Sequence, residues 1–135
     1  MRLPDFVIAG TQKAGTTWLL DNLFTHPRVS GCRHQLHFFD RNYAMGLKWY
    51  ARNFERLPAA HVIGEKSTEY FDTTTAHDVA RRLASDCPET KVIIILREPA
   101  ALAMSAFKHM EVSGVEPLPG NPDAALFADR ERPQG

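Results

Sequence analysis

Two glycines, Gly10 and Gly15, bracket a lysine and are followed at once by two threonines in GTQKAGTT. Backbone N–H groups in so tight a loop can turn inward, and a helix beginning at Thr16 would aim its partial positive charge at the same point. Together these make a phosphate cradle. Lys13 would stand on the crest of the loop, beside the terminal 5′ group of a bound nucleotide. Two more cations follow short apolar runs, Lys66 after HVIG and Arg97 after KVIIIL. Residues just past the carboxyl end of a buried strand line the ligand crevice of an open α/β sheet. Lys66 and Arg97 are therefore candidates for holding anionic groups, and a guanidinium suits bidentate phosphate contact. Spacing alone leaves Lys66 equally readable as an exposed loop cation. Ser105, about six residues into the next helix, rises on the order of 9 Å along it at 1.5 Å per residue. Periodicity by itself favours a solvent-facing serine there over a phosphate contact.

The loop is similar to the P-loop pattern G-x-x-x-x-G-K-[ST], with the lysine displaced. In that pattern the lysine follows the second glycine and the next hydroxyl holds Mg²⁺. Here Thr16 takes the lysine's place, Thr17 keeps the hydroxyl, and Lys13 lies two residues before Gly15. A P-loop kinase or NTPase would also be expected to carry an acid at a strand end to help hold Mg²⁺, whereas this chain places Arg97 there. The displaced lysine and that arginine both count against nucleotide triphosphate chemistry, and no metal is expected.

Positioning these residues requires alternating strands and helices. Phe6–Ala9 is a continuous apolar run of the kind a buried parallel strand shows. Leu19, Leu20, Leu23 and Phe24 then fall at helical spacing before His26-Pro27 closes the helix. The stretch from Val29 to Asp40 reads as an edge strand or loop with an aromatic anchor. Leu47, Tyr50, Ala51 and Phe54 fit an amphipathic helix ending near Leu57-Pro58. His61–Gly64 reads as a second strand followed by a polar EKSTEY loop. Ala76, Val79, Ala80, Leu83, Ala84 and Cys87 form the clearest helical stripe, leaving Arg81, Arg82 and Asp86 as solvated surface. Lys91–Leu96 is the most hydrophobic run and reads as a central strand, and a last helix opens at Pro99 and ends near Gly114. A three-layer α/β/α domain around a central parallel sheet, P-loop NTPase-like, is the economical solution.

Composition agrees with one globular domain over residues 1–135, or with part of one: the chain is 44% hydrophobic. Sixteen basic residues balance sixteen acidic ones, so no global field argues for nucleic acid or an anionic membrane, and anion recognition must be local. Cys32 and Cys87 lack metal-ligand spacing and read as small buried residues. With no secretory or membrane-spanning pattern ahead of the first strand, a reducing cytoplasmic setting is expected.

PDFVIAGTQKAGTTWL, HFFD with GLKWY downstream, GEKSTEYF and VIIILREPAALAMSAF occur in this order from Pro4 to Phe107. The series resembles the PAPS-dependent sulfotransferase family, in particular its heparan sulfate and related bacterial branch. The resemblance implies transfer of a sulfuryl group from 3′-phosphoadenosine 5′-phosphosulfate (PAPS) to an acceptor hydroxyl or amine, with adenosine 3′,5′-bisphosphate (PAP) as product. It implies that Lys13, Ala14, Gly15, Thr16, Thr17 and Trp18 surround the 5′-phosphosulfate, that Arg97 and Ser105 bind the 3′-phosphate, and that Lys66 lines the reaction centre. A small-molecule or glycan acceptor is implied, a carbohydrate favoured.

The chain departs from the family where a glutamate base is expected two residues before the HFF run, because Gln35 stands there. A carboxamide cannot take a proton at neutral pH. His34, His37, Glu65 and His109 are the substitutes near it in sequence or motif, and spacing does not choose among them. Residues 114–135 turn rich in proline and glycine, with a further helix capped by Asn121 as an expectation. Family members usually continue beyond this point, so a C-terminally incomplete domain with uncovered apolar faces, prone to oligomerise, is expected. The alternative to an active enzyme is a catalytically weak or silent PAPS- or PAP-binding module.

Overall fold

The computed structural model describes residues 1–113, which divide into two compact units, Met1–Leu96 and a second beginning at Arg97. The first unit is an α/β sandwich around a parallel sheet. Its strands are β1 (Phe6–Gly10), β2 (Val29–Gly31), β3 (Val62–Lys66) and β4 (Lys91–Ile94), in the order β2-β3-β1-β4. The helices are α1 (Thr16–Leu23), α2 (Leu47–Arg52) and α3 (Ala76–Asp86), with 3₁₀ turns at Tyr43–Met45 and Thr68–Phe71. The second unit contributes α4 (Pro99–Ser113).

All five residues of β1 are buried, as a strand covered on both faces requires. Alternation along it separates two cores. Phe6 and Ile8 pack with Leu20 of α1, while Val7 and Ala9 join Phe38, Phe39, Tyr50, Phe54, Val79 and Leu83 on the opposite face. Helices therefore cover both sides of the sheet, as a three-layer α/β arrangement predicts. The aromatic run of the HFF segment is the anchor expected of it. Phe38 stacks on Tyr50 with centroids 4.4 Å apart, and Phe39 meets Tyr50 and Tyr70 edge-on. Cys32 and Cys87 are both buried and free.

Gly64 stands opposite Phe6 in the β1–β3 register. A Cβ at that position would come within 2.0 Å of the Phe6 ring. Gly64→Ala must therefore push Phe6 out of its place beside Ile8 and Leu20, an overpacking cost of about 1–3 kcal/mol. The expected result is a lower urea midpoint at unchanged m-value.

Four expectations need correction. β4, expected at the sheet's centre, stands at its margin among the described residues, with β1 central. Val92 and Ile94 are 50% and 41% exposed, although their hydrophobicity suits burial on both faces. An apolar groove of about 380 Å³ lies between β4 and α3, lined by Val79, Leu83, Cys87, Val92 and Ile94 among others. α2 ends at Arg52 rather than near Leu57, because Asn53 turns its amide back onto the Trp49 and Tyr50 carbonyls. The polar residues after the second apolar run do not begin a loop. Glu65 and Lys66 complete β3 and are buried. Arg82 and Asp86 are partly buried: Arg82 donates to the Phe39 carbonyl at 2.5 Å and lies over the Tyr43 ring, whose hydroxyl donates to Asp86. The expected helix after Asn121 lies outside the described residues.

Candidate active site

The loop from Gly10 to Gly15 leaves the carboxyl end of β1 and is pinned there by continued pairing with the chain past β4. Thr11 N–H donates to the Ile95 carbonyl at 2.9 Å, and Ile95 N–H to the Gly10 carbonyl at 2.8 Å. Lys13 takes a left-handed conformation (φ 60°), and Gly15, at φ 98°, makes the turn into α1. Gly15 suits that position because a side chain there would be strained. No side chain caps α1 and no acid stands in its first turn, so no side chain of the helix start satisfies its first amides, the arrangement an anion cradle uses. By contrast the start of α4 is closed by its own carboxylate. Glu98 accepts from Ala100 N–H at 2.9 Å and Ala101 N–H at 2.7 Å, and these bonds hold its carboxyl below the usual range.

β3 runs beside β1 and delivers Lys66 to this cradle. The residue is 8% exposed, and its ammonium donates to Thr17 Oγ1 at 2.8 Å. No carboxylate lies within ion-pair distance of it among the described residues. A mostly buried cation without an acidic partner, set against an uncapped helix start, is suited to receive an anion. Thr16 is buried beneath the turn, and Trp18 is 70% exposed.

The HFF segment crosses the same end of the sheet. Gln35 Oε1 accepts from Thr68 N–H at 2.9 Å and from Thr68 Oγ1 at 3.0 Å, leaving its amide N–H groups to donate. Gln12, one residue before Lys13, reaches Glu69 at 3.5 Å, and Glu69 is ion-paired with Arg41. His37, Asp40 and Glu69 place side-chain atoms within 4.8 Å of one another, so this polar corner adjoins the loop.

The first unit thus gathers Lys13, Ala14, Gly15, Thr16, Thr17, Lys66 and Gln35 at one end of its sheet. Arg97 and Ser105 belong to the second unit, where Arg97 is exposed and Ser105 half-buried on α4. Glu65 is not available as a base. It is fully buried, accepting from Tyr50 Oη (3.0 Å), Tyr70 Oη (2.8 Å) and Ser67 Oγ (3.0 Å). Burial pushes its carboxyl above the ordinary range despite those bonds and one from the Leu36 amide. His34 lies beside Cys32 Sγ at 3.2 Å. Sequence reasoning did not assign a role to Asp40 or Glu69. The i, i+3 pairing of His37 with Asp40 is their only signal, and it occurs in a turn where helical periodicity gives no guidance.

The model of the sulfotransferase domain matches residues 3–131. Human heparan sulfate glucosamine 3-O-sulfotransferase 6 is 35% identical over 129 residues, covering 96% of this chain and 36% of that protein. The bifunctional heparan sulfate N-deacetylase/N-sulfotransferase 1 of Caenorhabditis elegans is 39% identical over 115 residues, covering 80% of this chain and 13% of that protein. The crystal structure of a sulfotransferase from Alicyclobacillus acidocaldarius superposes with a TM-score of 0.76 at 26% identity, over 88% of this chain and 54% of that one. The chain thus spans about a third or less of the length of these curated relatives.

Proposed function

From the premise that the chain belongs to the sulfotransferase family, we propose that it binds PAPS at the carboxyl end of its sheet and transfers the sulfuryl group to a carbohydrate hydroxyl or amine. The observation that carries this reading is Lys66: a cation 8% exposed, without a carboxylate partner among the described residues, hydrogen-bonded to Thr17 at the uncapped start of α1. The α1 amides, Lys13 and Lys66 hold the 5′-phosphosulfate, with Ala14, Gly15, Thr16, Thr17 and Trp18 forming the turn around it. Arg97 and Ser105 take the 3′-phosphate. The carbohydrate class rests on the two relatives named for heparan sulfate.

In the reaction the acceptor oxygen or nitrogen forms a bond to sulfur as the sulfur–oxygen bond to the 5′-phosphate breaks. Negative charge grows on that bridging oxygen. Cations fixed beside it before reaction stabilise the transition state more than the ground state, because they interact most strongly with the charge that develops. A second reading, a PAP-binding module without turnover, is supported by Gln35, whose carbonyl is occupied by Thr68 and whose amide cannot accept a proton.

Calorimetric titration of the chain tests the donor. PAP is expected to bind at least tenfold more tightly than ATP, with no gain from Mg²⁺. A preference for Mg²⁺-ATP would overturn the proposal. Transfer of radiolabelled sulfate from PAPS to desulfated heparan sulfate separates the enzyme from the silent module.

A further inference from the structure

His37 holds an uncommon backbone conformation in the segment that crosses the carboxyl end of the sheet. It is a non-glycine residue in the left-handed region, φ 49°, where a side chain costs on the order of 1 kcal/mol. Buried Leu36, Phe38 and Phe39 fix the backbone around it, and its N–H donates to Ser67 Oγ at 3.0 Å. The ring's Nδ1 lies 2.9 Å from Asp40 Oδ2. Asp40 has a side chain only 1% exposed, and its other oxygen, Oδ1, has no hydrogen-bond partner. Keeping a carboxylate out of water with one oxygen unsatisfied costs stability, and such groups are kept where they serve something other than packing.

With Nδ1–H donating to Asp40, the ring's free lone pair is on Nε2. That nitrogen has no partner among the described residues, and the side chain is 16% exposed. The ring stands in the corner shared with Glu69, which touches Gln12 of the cradle loop. The other acids and bases nearby are engaged: Glu69 by Arg41, Glu65 by three hydroxyls, and His34 by Cys32.

Resting on the sulfuryl-transfer reading above, we propose that His37 Nε2 takes the acceptor's proton, with Asp40 as its positioning residue, in the role Gln35 cannot fill. The acceptor O–H proton passes to Nε2 while the oxygen's electron pair forms the new bond to sulfur. The old sulfur–oxygen bond breaks with its electrons on the 5′-phosphate of departing PAP. The imidazolium formed is stabilised across 2.9 Å by Asp40 and returns its proton to water. The charged groups around it are Asp40 on its own segment, neighbouring Arg41, Glu69 of the 3₁₀ turn, and Arg82 of α3, which donates to the Phe39 and Asp40 carbonyls.

Three measurements on the full chain test this: PAP affinity, PAPS turnover with desulfated heparan sulfate or water as acceptor, and the pH profile of kcat. His37→Gln is expected to leave PAP affinity within twofold, to lower kcat about 10²-fold and to remove the acid limb of the profile. Adding Gln35→Glu to that variant should recover at least tenfold by returning a carboxylate. Asp40→Asn, a milder change, should lower kcat and move the acid limb toward lower pH, because the imidazolium loses a counter-charge. Turnover within threefold of wild type in His37→Gln, or an acid limb unchanged in both variants, would overturn the proposal. So would a wild-type chain that binds PAP and turns over with neither acceptor. A wild-type chain that does not bind PAP would instead sink the donor reading on which the proposal rests.

Discussion

Lys13→Met is expected to lower sulfuryl transfer on the order of 10³-fold while PAP affinity falls less than tenfold. The asymmetry follows from when the charge appears. On the proposed reading PAP, with its two phosphates, is held by several groups, so one ammonium beside the α1 amides and Lys66 contributes a modest share of ground-state binding. The bridging oxygen gains its charge only as the sulfur–oxygen bond breaks, and a cation fixed on the loop crest then does most for the transition state. Methionine suits the experiment because it keeps the unbranched stem of the side chain and removes only its charged end. It meets the same left-handed backbone that Lys13 occupies at φ 60°, so the comparison does not mix in relief of strain as a glycine would. Single-turnover rates and calorimetric affinities for the two proteins provide the check. Equal losses in rate and affinity would make Lys13 a ground-state anchor, and no loss in either would remove it from the site.

The strand, turn and helix around Gly10 and Gly15 were legible because each is a local rule. Gly10 and Gly15 mark the turn, the apolar run before them is a strand, and the spacing of Leu19, Leu20 and Leu23 is helical. The layer order was legible for the same reason. What escaped was set by tertiary partners. Glu65 and Lys66 are polar, which reads as loop, yet β3 keeps both inside because three hydroxyls satisfy one and the cradle receives the other. Arg82 falls off the stripe of α3 and reads as surface, but its guanidinium reaches carbonyls 43 and 42 residues away in sequence. KVIIIL reads as the sheet's centre because it is hydrophobic on both faces. That property reports how much surface a strand can bury, not how much the described residues cover. The His37–Asp40 pair could be seen as a spacing, but its meaning depends on a positive φ and a buried oxygen that no periodicity encodes.

Glu65→Ala is expected to destabilise the fold by on the order of 5 kcal/mol, since it strands hydroxyls at about 1–3 kcal/mol each and leaves a cavity. That approaches the whole stability of a typical domain, about 5–15 kcal/mol. The loss should spread into the site. Tyr70 Oη donates to Glu65 and accepts from Phe38 and Phe39 N–H at 2.9 and 3.3 Å, and Ser67 Oγ donates to Glu65 and accepts from His37 N–H. One buried carboxyl therefore ties β3 to the segment carrying Gln35, His37 and Asp40. Its protonation gives the pH sign. Burial raises the folded-state value above the ordinary 4.5, so between those two values the folded chain holds a proton that the unfolded chain has released. The group's stabilisation is complete below about pH 4.5 and declines as pH rises through the raised value. Glu65→Gln removes that slope. It should therefore gain on wild type as pH increases across the window, after a loss of about 1 kcal/mol from disturbing the Ser67 hydroxyl. Urea titrations of the three proteins at several pH values decide the matter. A Glu65→Ala chain within 1 kcal/mol of wild type, or a Glu65→Gln chain with an unaltered pH slope, would mean that the HFF segment is held by its aromatic packing alone.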